Sequence, residues 1–110
     1  MVARLRSADM ISVAEAASLL GEDESAVLRW IEQSRCVALT LHGHETRLPI
    51  WQFAGDLPLW IGPVSEALEA SSGWEVLSFL ETPYDGLDGR TPRVALEQGD
   101  VDQVLALAST

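Results

Sequence analysis

Cys36, His42, His44 and Glu45 form the one group of residues in this chain whose types could hold a metal ion. Two histidines separated by a single residue, with the thiol six positions upstream, fall short of the paired spacing that brings four ligands within reach of a tetrahedral zinc. The grouping reads as polarity at a turn, and no metal or cofactor is expected. Nucleophilic catalysis would need a serine or cysteine held by a base and a third orienting group, and nothing in the sequence selects such a set. The many carboxylates include no pair placed in an apolar stretch that would drive their pKa values apart. Neither a glycine loop that cradles phosphate nor a dinucleotide fingerprint is present, so the expectation is that the chain is not an enzyme.

The chemistry left is that of charge. Seventeen acids stand against seven arginines, with no lysine and a formal net charge of -10. That balance disfavours binding to bulk polyanions. It is also uneven: residues 1–47 carry five arginines and seven acids, and residues 48–110 carry two arginines and ten acids. Only the N-terminal half could approach DNA, whereas the acidic C-terminal half suits a basic protein surface. The chain has 110 residues, 47% of them hydrophobic, enough for one small domain or two tightly joined subdomains. No apolar run of about 18 residues exists to span a bilayer, and Met1-Val-Ala-Arg-Leu-Arg-Ser7 lacks the apolar stretch of a secretory signal. A lone cysteine excludes an internal disulfide. The expected setting is the cytoplasm, without a membrane, and the expected state a homo-oligomer, most simply a homodimer.

The elements that position these side chains are marked by caps and periodicity. Ser12-Val-Ala-Glu15 is a capping box that opens a helix ended by Gly21, with Val13, Ala16, Ala17 and Leu20 on one face. A second helix is predicted over 25–33, with Val27, Leu28 and Ile31 inward, and the glycine-containing join makes the pair a helix-turn-helix. Val37, Leu39 and Leu41 then alternate with smaller residues, and His42 to Glu45 reads as a turn before 46–50, which predicts a β-hairpin with Pro49 on an edge strand. Residues 51–63 read as an apolar connector pinned by Trp51, Phe53 and Trp60. Pro63 is expected to open a helix to Ala70, a further helix should cover 74–80, and 82–89 form a loop. Thr91 caps and Pro92 opens the next helix, Gly99 ends it, and Asp100 caps the last, where Val101, Val104, Leu105 and Ala108 form a stripe. The predicted fold is mainly α with a small β-hairpin: a winged helix-turn-helix-like part in residues 1–53, then a compact four-helix unit in residues 54–110.

The segment from about Pro63 to Ala108 resembles the Xre/MbcA/ParS-type toxin-binding domain of bacterial antitoxins. The resemblance lies in Trp74 with Phe79-Leu80, in Leu87-Asp-Gly-Arg-Thr-Pro92, and in Leu96-Glu-Gln-Gly99 followed by Val101-Asp-Gln-Val-Leu105. It implies a noncatalytic adaptor that binds and silences a partner toxin encoded nearby, commonly of the RES type that consumes NAD. Tyr84, Asp88, Arg90 and Arg93 are the polar positions that the resemblance nominates for contact with that partner. Ile11 to Gly21 resembles the opening of the MerR or excisionase type of winged reader. The alternative expectation is accordingly a DNA-binding regulator with a C-terminal dimerisation part. Arg29, Arg35 and Arg47 would then hold phosphates, against the opposing charge of Glu22-Asp-Glu24 at the start of the second helix.

Overall fold

The computed structural model describes residues 7–40 and 45–110. The fold is mainly helical with a small two-stranded antiparallel sheet, in agreement with the class expected from the sequence. Strand β1 (Met10–Ser12) runs into helix α1 (Val13–Leu20), which is followed by α2 (Glu24–Glu32) and strand β2 (Arg47–Pro49). A 3-10 turn (Ile50–Phe53) then leads into α3 (Leu57–Leu68), α4 (Gly73–Leu80), a second 3-10 turn (Asp85–Leu87), α5 (Pro92–Glu97) and α6 (Val101–Ala108).

Helix α1 begins where the capping box predicts. Ser12 Oγ accepts from the Glu15 N–H at 3.0 Å, and Glu15 Oε1 accepts from the Ser12 N–H at 3.1 Å. Gly21, with φ of 68°, ends it in the left-handed conformation that glycine adopts without a side-chain clash. For α2 the cap is Asp23, whose carboxylate accepts from the Ala26 N–H at 2.9 Å. One of the three acids at the start of α2 is thus turned onto the helix terminus, where its charge meets the positive end of the dipole.

The sheet differs from the hairpin expected between 37–41 and 46–50. Strand β2 pairs instead with β1, with Met10 opposite Pro49, Ile11 opposite Leu48 and Ser12 opposite Arg47. Among the described residues, the expected partner keeps a single bridge, Leu39 to Arg47, and a 2.7 Å hydroxyl contact between Thr40 and Thr46. The tip at His42 and His44 lies outside the described residues. Strand β2 therefore lies between two neighbours, and Pro49 sits at its far end, where the missing N–H costs the ladder nothing.

Helix α3 corrects a second expectation. It starts six residues before Pro63, which lies inside it. Pro58 supplies the proline of the first turn, and Leu57, Ile61 and Val64 are buried along one face. That stripe continues across Pro63, so burial outweighs the lost backbone bond. The carbonyl left without a donor belongs to Leu59, four residues back, which with Pro63 lies on the solvent side. Helices α4, α5 and α6 all pack against α3.

Two hydrophobic clusters result. The smaller joins Ile11, Ala16, Ala17, Val27 and Leu48, with Phe53 against its edge. The larger fills the space among α3, α4, α5 and α6 and also takes in Met10, Val37, Leu39 and Trp51. What brings Val37 there is Gln52, which is only 1% exposed. Its Oε1 accepts from the Val37 N–H at 2.7 Å, while its Nε2 donates to the Val37 carbonyl at 2.8 Å and the Pro49 carbonyl at 3.1 Å. A side-chain amide thereby acts as a strand neighbour for one residue. Gly73 completes the junction: a Cβ there would stand 2.0 Å from the Ala38 carbonyl oxygen.

Two measurements of thermal and urea unfolding check this junction. Gln52→Leu leaves both backbone groups of Val37 buried without partners, and the expected loss is about 2–6 kcal/mol at roughly 1–3 kcal/mol for each orphaned group. Gly73→Ala should cost about 1–3 kcal/mol or more through overpacking against backbone that cannot yield. Gly62→Ala should instead be neutral or stabilising by up to about 1 kcal/mol, since its nearest neighbours lie 3.8–3.9 Å from the new Cβ and alanine is the better helix former.

Candidate functional site

The corner where α5 turns into α6 begins with local capping. Thr91 Oγ1 accepts from the Val94 N–H at 3.2 Å, and Pro92 occupies the first turn of α5. Gly99, with φ of 87°, allows the chain to reverse, and the Asp100 N–H returns to the Ala95 carbonyl at 2.9 Å. Asp100 does not cap α6 through its side chain as expected. Its carboxylate instead accepts from Arg90 Nη1 at 2.6 Å, because a short, charge-assisted bond outcompetes a neutral backbone donor.

Arg90 is the hub of this corner. Its Nε donates to the Leu87 carbonyl at 2.9 Å, and Nη1 also donates to Gln98 Oε1 at 2.7 Å. One guanidinium thus ties the loop before α5 to the turn after it. Tyr84 is joined to the same loop by its backbone, donating to the Arg90 carbonyl at 3.2 Å and accepting from the Leu87 and Gly89 N–H groups at 3.0 Å. Its ring lies 5.5 Å from that of Phe79. Asp88 faces solvent in the left-handed region with φ of 57°, closing the second 3-10 turn. Arg93 points elsewhere: its guanidinium lies 4.4 Å over the Trp51 ring, and its Nε lies 3.3 Å from Glu97 Oε1 in an ion pair without hydrogen-bond alignment.

Of the four residues singled out for partner contact, the structure joins Tyr84 and Arg90, leaves Asp88 outward and sends Arg93 to Trp51. Both arginines of residues 48–110 are engaged within the chain. The charged side chains left exposed on α5, α6 and the loop before them are carboxylates, among them Asp85, Asp88, Glu97 and Asp102. Beside the corner lies a cleft of about 570 Å³ between the first turn of α3 and the α5–α6 turn, lined by Asp56, Leu57, Trp60, Leu96, Glu97 and Val101. Sequence reasoning missed it, because residues 51–63 read as a connector. The available signal was the four-residue spacing of Asp56 and Trp60, which places them on one helical face.

The arginines of the DNA alternative are spread over three elements. Arg29 is exposed on α2, and Arg35 follows that helix with its backbone N–H on the Trp30 carbonyl at 2.8 Å. Arg47 on β2 faces acids, Glu45 at 3.3 Å and Glu15 at 3.9 Å. The hydrogen bonds from the Ser12 backbone and hydroxyl hold the Glu15 carboxyl below the usual range, with the Arg47 charge adding to them. Cys36 borders a cavity of about 270 Å³ where residues 31–38 meet α3 and α4, together with Ser65 and Gly73. Burial pushes its thiol up to about 11 against the opposing charge of Arg35, which suppresses the nucleophilic thiolate. Among the described residues, no group of three or more His, Cys, Asp and Glu side chains is placed to hold a metal ion, and no helix is long and apolar enough to cross a membrane.

Compared with protein-family models, curated proteins and solved structures, the chain finds no match.

Arg90→Gln tests the hub. Losing the charge should release Asp100 and cost about 1–3 kcal/mol in urea unfolding. Arg93→Gln, at the more open ion pair, should cost about 1 kcal/mol or less.

Proposed function

We propose that this chain is a noncatalytic, antitoxin-like binding protein that silences a partner protein toxin through its C-terminal helices. One observation carries the reading: the two cations of residues 48–110 are both held by intramolecular contacts, so the corner formed by α5, α6 and their preceding loop presents acid outward on a pre-tied backbone. Such a surface attracts a basic protein face and repels phosphate. Loop and turn are joined before any partner arrives, which lowers the ordering entropy that binding must supply. The resemblance of the segment from about Pro63 to Ala108 to bacterial toxin-binding domains gives the partner its class, with an NAD-consuming enzyme of the RES type as the leading form. The chain acts in this reading as a cytoplasmic homodimer. DNA binding through α2 weighs less, since Arg47 is occupied by Glu15 and Glu45.

Co-expression with the product of the adjacent gene tests the proposal. The expected result is rescue of growth and a complex that survives purification, with affinity falling as salt is raised from 50 to about 500 mM because a charged interface is screened. Asp85→Lys should slow association by at least tenfold while leaving the circular dichroism spectrum unchanged. Failure of both rescue and complex formation overturns the reading, and an association rate indifferent to salt and to Asp85→Lys removes the acidic corner from it.

A further inference from the structure

Resting on that reading, the geometry points to a more specific device: we propose that the cleft between α3 and the α5–α6 turn is a receptor for a single arginine or lysine side chain of the partner protein. Its parts match such a side chain from stem to head. Leu57, Leu96 and Val101 offer apolar wall to a methylene stem, and Trp60 is half-buried, with part of its surface in the cleft. Aromatic faces attract cations through their quadrupole, most strongly for tryptophan. Carboxylates belong to both sides of the cleft, Asp56 to the start of α3 and Glu97 to the end of α5.

Asp56 is the informative member. It occupies the cap position of α3, where an aspartate ordinarily accepts from a backbone N–H of the first turn. Here its side chain makes no cap hydrogen bond and lies exposed at the mouth of the cleft. Four residues on, Trp60 shares its face of the helix, so carboxylate and ring address the same volume. The chain itself uses this chemistry next door, where Arg93 lies over Trp51 at 4.4 Å and beside Glu97 at 3.3 Å. A second cation entering from outside would meet Glu97, Trp60 and Asp56, which line the cleft together. Charge complementarity selects the occupant: a volume of about 570 Å³ lined by two carboxylates and an indole suits a cationic side chain, and its acids repel an anion.

The probe is the capped pentapeptide Gly-Leu-Arg-Leu-Gly, titrated into the full chain with the Trp60 indole N–H followed by NMR. The same peptide with citrulline in place of arginine keeps the shape and removes the charge. The expected result is movement of the Trp60 resonance by the arginine peptide alone, and binding weakened at least fivefold by Asp56→Asn, a change that preserves the cap preference of the position. Glu66→Gln makes the same charge change about 15 Å further along α3 and should alter binding less than twofold. Equal weakening by the two variants, equal binding of the citrulline peptide, or an unmoved Trp60 resonance overturns the receptor. The toxin-binding reading is judged apart. A co-expressed complex that forms undiminished with Asp56→Asn overturns the receptor and leaves neutralisation standing, whereas peptide binding at Trp60 without any complex supports the receptor and removes the toxin.

Discussion

Gln52 makes three hydrogen bonds that fix the segment after α2 where it enters the larger hydrophobic core. Its amide satisfies both backbone groups of Val37 and the carbonyl of Pro49, so the segment 37–39 needs no full strand partner where it enters the larger core. Buried backbone groups must be paired somewhere, and here one side chain does what a ladder would do. The consequences spread outward from that point. Val37 and Leu39 join the cluster formed around α3, Ala38 is pressed against the start of α4 where only glycine fits, and Leu39 retains its bridge to β2. Trp51 and Phe53, on either side of Gln52, divide between the two clusters. The turn that carries Gln52 is the hinge pin between them.

A different economy governs the C-terminal corner. Helices of six and eight residues are too short to persist alone, since nucleation is unfavourable and isolated helices below about 12 residues are marginal. They hold because Ala95, Leu96 and Val104 are buried and because Arg90 clamps the chain on both sides of α5. With so few cations in this half, Arg90 ties backbone to carboxylate and Arg93 is spent on the Trp51 ring and Glu97. The acidity of the surface is therefore partly a product of how the corner is built: cations are drawn inward as fasteners, and the acids that outnumber them remain outside.

Features encoded within a few residues were legible in the sequence. The capping box at Ser12 and Glu15, the Thr91-Pro92 start and the Gly99 stop each depend on backbone groups no more than five positions away, and each is found where it was predicted. What was illegible depends on distant partners. Strand β1 has three residues and acquires its identity from β2, more than thirty positions later. The proline signal at Pro63 was overridden by a buried stripe running from Leu57 to Val64, a tertiary effect that outweighs local propensity. Asp100 carries the type of a cap and was captured by Arg90, ten residues earlier. In the candidate site the same division holds: Asp88 was readable as a turn former, whereas nothing local says that Arg90 faces inward, that Arg93 lies on Trp51, or that Asp56 and Trp60 border the α5–α6 turn.

The pairing of Arg93 with Trp51 and Glu97 also bears on why a cleft of the same composition can stay open beside it. Cation–π contacts at partly exposed sites are worth about 0.5–1 kcal/mol, and surface ion pairs add about as little, so one such contact does not oblige the chain to fill every similar niche. Neither α5 nor α6 carries an arginine beyond Arg93 that could fill the second niche as Arg93 fills the first. The cleft thus offers the acceptor half of an interaction whose donor half α5 and α6 do not supply. Walls, ring and carboxylates are instead held in place by the packing of α5 and α6 against α3 and by the Arg90 clamp, so a niche of this composition keeps its shape without a cation from either helix to fill it.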